Sequence, residues 1–174
     1  EEPDQTLLKW IEYEEKLFKR LERHIVARRL EAGFHDDGNT DVEGFIQFSL
    51  SVHNRRKSRV GYALENHLEE IFKAHGLTYS RTAVTENKSK PDFIFPHIDN
   101  YRDMSFPESR LTMLGVKSTC KDRWRQVLAE AQRIQNKHLF TLEPGISENQ
   151  TDEMQDSNLQ LVLPKRLHET YKPG

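Results

Sequence analysis

The spacing of the apolar residues changes near residue 77 of this chain, and that change limits the folds open to it. Before it, apolar side chains recur at helical spacing, which predicts helices over 5–32, from about 41, and over 58–75. After it, short apolar runs bounded by turn residues predict strands over 77–84, 92–95, 111–118, 138–142 and 159–163. A helical period returns over 121–135. We therefore expect an α/β domain with a mixed central sheet flanked by helices and an N-terminal helical segment.

The length of 174 residues suits one domain with its own core. We expect a single catalytic domain over 1–174, made of a helical N-terminal part (1–57), a core (58–165) and a C-terminal tail (166–174). The turn-rich stretch F-H-D-D-G-N-T at 34–40 is expected to be a loop. No apolar run is long enough to span a bilayer, and a single cysteine, Cys120, fits a reducing cytoplasm.

The charge is balanced overall but unevenly distributed. The formal net charge is −2, yet basic residues cluster at 16–29, 55–59 and 117–133 while acidic residues cluster late, over 143–156. Each run alone is also typical of a solvated surface. Opposed patches on a nearly neutral protein nevertheless allow one face to bind DNA.

Three residues suggest a hydrolytic site. Asp92 opens a short apolar strand, Lys117 ends another strand, and Glu130 lies in the predicted helix that follows. Two carboxylates suit a hard divalent cation such as Mg²⁺, which polarises a scissile phosphate and lowers the pKa of water. An ammonium beside them offsets charge in the transition state. Surface groups at strand and helix boundaries have the same residue types, so spacing alone leaves both interpretations open.

A resemblance adds to this argument. The stretches K-P-D-F-I-F-P (90–96), L-G-V-K-S-T-C-K-D-R-W-R-Q (114–126) and A-E-A-Q-R-I (129–134) resemble the catalytic domain of EcoRII-type restriction endonucleases, in the PD-(D/E)xK nuclease superfamily. The likeness covers most of the chain and is most specific over about 54–165.

One position departs from the usual superfamily pattern, which has an acidic residue two before the lysine. Here that position is Gly115. Relatives that cut CCGG, CCNGG and CCWGG sites place the second carboxylate on the next helix, where Glu130 stands. The resemblance therefore implies Asp92 and Glu130 as Mg²⁺ ligands and Lys117 as the catalytic lysine. An auxiliary glutamate is often carried on a nearby helix, and Glu65 is the candidate, although a solvated helix glutamate fits Glu65 equally well.

The resemblance also implies which residues contact double-stranded DNA. Lys121, Asp122 and Arg123 match a basic–acidic–basic triplet that reads C·G pairs in the major groove. Basic side chains bond guanine O6 and N7, and a carboxylate accepts from cytosine N4. An ordinary helix N-terminus would have the same composition.

A second group of DNA contacts is expected between residues 55 and 62. Phosphate contacts are expected from its basic residues. The same region is where a pocket for a flipped base is expected. The residues concerned are Arg55, Arg56, Arg59 and Tyr62.

Taken together, the resemblance implies a bacterial, cytoplasmic type II site-specific deoxyribonuclease that cuts CCWGG and leaves 5′-phosphate ends. Pseudo-twofold DNA implies a homodimer. Since residues 1–32 resemble a plain helix and no regulatory DNA-binding domain, we expect cleavage to be unrestrained by a second site.

Two alternatives remain open. The chain could be a non-catalytic, sequence-specific DNA-binding module that keeps the fold. It could also be a tyrosine recombinase-like enzyme with Tyr101 as a covalent nucleophile, which would leave Asp92 and Glu130 without a role. Tyr101 in a packing role, or as a DNA contact, fits the sequence better.

Overall fold

The computed structural model describes residues 2–121 and 123–171. The chain divides into two compact units, residues 1–67 and 68–174, which are described separately. The predicted boundary between residues 57 and 58 falls inside a helix that begins in the first unit and ends in the second.

The first unit consists of two long helices joined by a hairpin: α1 (Pro3–Ala32), β1 (His35–Asp36), β2 (Asn39–Thr40) and the greater part of α2 (Val42–Ala74). The predicted loop at 34–40 is thus wrong. His35 pairs with Thr40, and both residues of the two-residue turn, Asp37 and Gly38, have positive φ. An Asp-Gly turn of this kind closes a tight hairpin.

The second and third predicted helices are one continuous helix, α2. Asp41 caps its start, since the carboxylate Oδ1 accepts a hydrogen bond from the Gly44 amide at 2.8 Å. Ser58 does not begin a new helix. The residues before it, N-R-R-K, include arginine and lysine, which favour helix, and no proline interrupts the run.

The second unit contains the sheet. After the end of α2 its elements follow in this order: β3 (Ser80–Arg81), β4 (Phe93–Phe95), α3 (Ile98–Arg102), β5 (Thr112–Lys117), α4 (Trp124–Leu128), β6 (Lys137–Thr141), α5 (Glu148–Asp156), β7 (Leu159–Val162) and α6 (Lys165–His168). The first predicted strand is shorter than expected, two residues instead of eight.

The five strands form one mixed sheet in the order β3-β4-β5-β6-β7. β3, β4 and β5 are antiparallel neighbours, whereas β5, β6 and β7 run parallel. The expected mixed sheet is therefore confirmed. Because β4 and β5 are antiparallel, with Phe93 opposite Leu114, the start of β4 lies beside the end of β5. The topology itself thus brings Asp92 towards the Lys117 end of β5.

The core of this unit lies between the sheet and its helices. Helices α3, α4 and α5 pack against β4, β6 and β7. The buried cluster centres on Trp124 and Val127 of α4, with Ile94, Met113 and Leu139 from the strands. Burial of such side chains contributes about 1.5–3 kcal/mol each.

Two C-terminal features complete the unit. The predicted tail over 166–174 is partly helical in α6, and the Tyr171 hydroxyl donates to the Glu143 carbonyl at 2.7 Å. Residues 172–174 lie outside the described part. No helix in the described ranges is both long and apolar enough to cross a membrane.

Candidate active site

Asp92 and Lys117 meet at the edge of the sheet where β4 begins and β5 ends. Lys117 Nζ lies 2.9 Å from Asp92 Oδ2, and the Val116 amide donates to the same oxygen at 2.6 Å. Both side chains are largely buried, at 13% exposure for Asp92 and 16% for Lys117. The main-chain bond holds the carboxylate against β5. Neither hydrogen bond involves Oδ1, which leaves that oxygen available to a ligand.

Glu130 lies after α4, not within a helix. The predicted helix over 121–135 is wrong in extent, because α4 ends at Leu128 and Ala131 adopts φ +45°. This left-handed conformation at a non-glycine residue ends the helical path and turns the chain back towards β6. Glu130 is therefore carried by a turn over 130–134.

The carboxylate of Glu130 is partly buried and electrostatically coupled to the other two residues. Burial raises its pKa to about 7, Lys117 opposes this rise, and Asp92 adds to it. Its Oε2 atom is shielded from solvent and receives no hydrogen bond from the described residues. A buried carboxylate oxygen without a donor is costly unless a cation or a proton reaches it.

These groups fit a divalent cation held by few protein ligands. Among the described residues, Glu130 Oε2 receives no hydrogen bond, and both side-chain hydrogen bonds to Asp92 are made at Oδ2 rather than Oδ1. Among residues 2–121 and 123–171 no cluster of three or more Asp, Glu, His or Cys residues forms a fuller cage. Two carboxylates suit Mg²⁺, which keeps several waters and takes its other ligands from phosphate.

Gly115 is glycine because helix α4 packs against it. A Cβ built at this position would lie 2.9 Å from Cγ2 and 3.1 Å from Cγ1 of Val127. Val127 is fully buried. An acidic side chain two residues before Lys117 would therefore displace α4, and the second carboxylate has to come from elsewhere.

We expect Gly115→Ala to destabilise the protein by about 1–3 kcal/mol, the usual cost of overpacking a core. Urea denaturation measures it. Gly61→Ala is the matched control, because a Cβ there meets nothing within 4 Å and alanine favours helix. Val127→Ala should be less harmful in the Gly115→Ala background than alone. Independent, additive effects of the two substitutions would contradict the packing explanation.

The segment after Lys117 is held by Glu143, which lies two residues after the end of β6. Glu143 Oε2 accepts from the amides of Cys120 at 2.7 Å and Lys121 at 2.9 Å. The side chains of Lys121 and Arg123 are exposed. Asp122 lies outside the described residues. The two basic residues predicted to read bases thus lie on an anchored turn that follows the Lys117 strand directly.

The predicted phosphate-contacting residues belong to the first unit, and two are engaged within it. Arg56 bonds the buried Glu22 at 2.6 Å, and Arg59 pairs with Glu14. Arg59 is only 18% exposed, whereas Arg56 is 62% exposed. Arg55 and Tyr62 also have accessible side chains: Arg55 is exposed and Tyr62 is 64% exposed. Glu65 lies on α2 in the same unit. Roles in DNA contact for this group stay predictions.

Tyr101 is buried in the second unit. Its hydroxyl donates to Glu86, at 2.7 Å and 2.6 Å from the two carboxylate oxygens, and only 4% of the residue is exposed. Burial and the Glu86 carboxylate raise the pKa of Tyr101. A phenol that is buried, bonded and harder to ionise is poorly suited to attack phosphate, which favours the packing role for Tyr101.

Sequence reasoning missed two residues around the site, Lys137 and Glu143. Lys137 is only 6% exposed, and its ammonium donates to three carbonyls of the turn that carries Glu130. A lysine in the first position of a strand and a glutamate just beyond its end are ordinary surface residues by pattern. The one sequence feature that could have indicated a buried Lys137 is its position at the start of a largely apolar strand.

Solved structures define the class of fold. The structure of metal-depleted Ecl18kI in complex with uncleaved, modified DNA aligns with 97% of this chain. The alignment covers 62% of the Ecl18kI chain, with a TM-score of 0.80 and 20% sequence identity. The structure of the restriction endonuclease PspGI–substrate DNA complex aligns with 92% of this chain and with 63% of the PspGI chain. Its TM-score is 0.76 and its sequence identity is 20%. The fold is that of restriction endonucleases.

Sequence comparison narrows this class to one family. The model of the EcoRII C-terminal family matches residues 18–173. The type II restriction enzyme EcoRII of Escherichia coli is 46% identical over 171 residues, 98% of this chain. The chain therefore belongs to the EcoRII C-terminal family. It spans 41% of the length of that relative.

Proposed function

We propose that this chain is the catalytic domain of a type II restriction endonuclease that uses Mg²⁺ to hydrolyse double-stranded DNA at CCWGG. The observation that carries the proposal is the ion pair of Lys117 with Asp92, whose charges also act on the partly buried carboxylate of Glu130. Membership of the EcoRII C-terminal family supports it, as do two structural relatives that were solved with DNA.

In the proposed reaction, Asp92 and Glu130 would hold Mg²⁺, which when bound would supply polarisation of the scissile phosphate and a lower pKa for water. Lys117 Nζ lies 2.9 Å from Asp92 Oδ2, so its ammonium would lie beside a phosphate that binds at an Asp92-held cation. There it orients the attacking water and offsets negative charge that develops in the transition state. Water attacks phosphorus and the 3′ oxygen leaves, which gives 5′-phosphate ends.

In the proposed recognition, Lys121 and Arg123 bond guanine in the major groove, and Asp122 accepts from cytosine. The Arg55–Tyr62 region contacts phosphates and includes the pocket for a flipped base. A homodimer would place one active site on each strand of a pseudo-twofold site. A location in the bacterial cytoplasm completes the proposal.

The test is cleavage of a duplex containing CCWGG in Mg²⁺ and in EDTA. We expect cutting that requires Mg²⁺ and is lost in Asp92→Ala. Specific binding without cutting would instead identify a non-catalytic DNA-binding module. Cutting that survives EDTA and is lost in Tyr101→Phe would identify a tyrosine enzyme.

The pKa of about 7 at Glu130 predicts a pH-dependent metal affinity. A protonated carboxyl cannot hold the cation, so below pH 7 a proton must leave before Mg²⁺ binds. We expect the dissociation constant for Mg²⁺ to rise about tenfold from pH 8 to pH 6, as the ionised fraction of Glu130 falls. Calorimetric titration without DNA measures it, and equal affinity at both pH values would contradict the expectation.

A further inference from the structure

Lys137 is a buried cation that the proposed reaction does not use. It opens strand β6 and is 6% exposed, and burial lowers its pKa. Burying an ammonium costs several kcal/mol unless its hydrogen bonds are satisfied. An apolar residue would fill a strand position facing the core at no such cost. The lysine therefore needs an explanation in the contacts that it makes.

Those contacts all go to the turn that carries Glu130. Lys137 Nζ lies 2.6 Å from the carbonyl oxygen of Glu130, 3.1 Å from that of Ala131 and 2.8 Å from that of Ile134. An ammonium has three donors, and this one has three acceptors. Helix α4 ends at Leu128, and Ala131 has φ +45°, so the turn does not continue the hydrogen bonds of the helix; the Ala131 carbonyl also accepts from the Ile134 amide at 2.9 Å.

The same turn is bound from its other side through main-chain amides. The Arg133 amide donates to the Tyr101 hydroxyl at 3.2 Å, and the Gln132 amide donates to Glu86 Oε2 at 3.3 Å. Glu86 also accepts from Tyr101, which links the two anchors. The turn is thus fixed through its carbonyls by Lys137 and through its amides by Glu86 and Tyr101.

We propose that Lys137, assisted by the Glu86–Tyr101 pair, is a positioning residue that holds the Glu130 turn so that the Glu130 carboxylate points at the Asp92–Lys117 edge. Helix α4 ends two residues before Glu130, so the turn and not a helix sets the direction of this carboxylate. The inference rests on the proposed function, because it assigns Glu130 to the cation site.

Positioning and charge predict opposite outcomes when Lys137 is replaced. Removing a nearby positive charge would relieve Coulomb repulsion and so strengthen the binding of a cation. Releasing the turn would weaken it, because a metal ligand that is no longer held in place typically costs 10- to 100-fold in affinity. Lys137→Met replaces the ammonium by an unbranched apolar side chain, so it removes the donors and the positive charge together.

The experiment is Mn²⁺ binding at pH 8, followed by the loss of the free-ion signal in electron paramagnetic resonance. Thermal melting of each variant is recorded beside it. We expect Lys137→Met to weaken Mn²⁺ binding about 10-fold or more, and Glu86→Ala about threefold. Lys73→Met is the matched control, since it removes an exposed cation that pairs with Glu70 on α2. Its Mn²⁺ affinity should equal that of the wild type.

Each outcome is decisive. A Lys137→Met protein that melts at a lower temperature but binds Mn²⁺ as tightly as the wild type, or more tightly, overturns the inference and shows a purely structural role. If Lys137→Met does not fold, unchanged Mn²⁺ affinity in Glu86→Ala overturns it instead. A wild-type protein that neither binds Mn²⁺ nor cuts DNA overturns the proposed function, and the inference with it.

Discussion

Glu130→Gln is expected to lower the cleavage rate at saturating DNA about 10³-fold or more, nearly as much as Asp92→Ala. Loss of a ligand removes several kcal/mol of transition-state stabilisation by the cation, and about 1.4 kcal/mol corresponds to a factor of ten. Gly115 is the reason that no other residue compensates, since Val127 occupies the space where the usual acidic side chain would stand. Single-turnover cleavage with excess protein measures the rate of the chemical step.

The control for Glu130→Gln is Glu169→Gln, which removes an exposed carboxylate in the same unit. It should cut at the wild-type rate. DNA binding in Ca²⁺ should be similar in all three proteins, which separates a chemical defect from a binding defect. Retention of more than about a tenth of the wild-type rate in Glu130→Gln would show that Asp92 and Lys117 suffice, and would remove Glu130 from the proposed site.

The parts of the site that lie at the ends of strands could be predicted from the sequence. Asp92 and Lys117 each flank a short apolar run, and the antiparallel pairing of those runs brings the two residues to one edge. Glu130 was also named, but its helix was wrong. The residues A-E-A-Q-R-I all favour helix or tolerate it, and nothing local signals the positive φ at Ala131. The contacts that hold this turn come from Lys137, Glu86 and Tyr101, which lie outside it.

The parts that depend on partners distant in sequence could not be predicted. Lys137 lies seven residues after Glu130, and its burial follows only from the parallel pairing of β6 with both neighbours. Glu143 contacts amides 22 and 23 positions earlier. The continuity of α2 was missed for a different reason. Serine is a common N-cap residue, so Ser58 predicted a helix start, but it lies inside the helix. The local sequence predicts an N-cap, but whether a helix begins there depends on packing along the whole helix.

Arg123→Ala is expected to lower the affinity for CCWGG about 10- to 100-fold while leaving the affinity for unrelated duplex DNA within about threefold. A bidentate contact to guanine contributes roughly 1–3 kcal/mol of discrimination, and 1.4 kcal/mol is tenfold in affinity. The turn that carries Arg123 follows β5 and is fixed by Glu143, which accepts from the amides of Cys120 and Lys121. Binding titrations in Ca²⁺, with specific and scrambled duplexes, measure both affinities.

The neighbouring Arg125→Ala distinguishes base reading from general attraction to phosphate. Arg125 lies two residues away and is 60% exposed, but its guanidinium pairs with Glu153 and lies over the Trp124 ring at 4.5 Å. Its loss should therefore leave discrimination between the two duplexes unchanged. Removal of a side chain that contacts only phosphate weakens binding to all sequences alike. It also lowers the slope of log affinity against log salt concentration by about one. If Arg123→Ala behaved in that way, Arg123 would be a phosphate contact, and sequence reading would have to come from elsewhere on the protein.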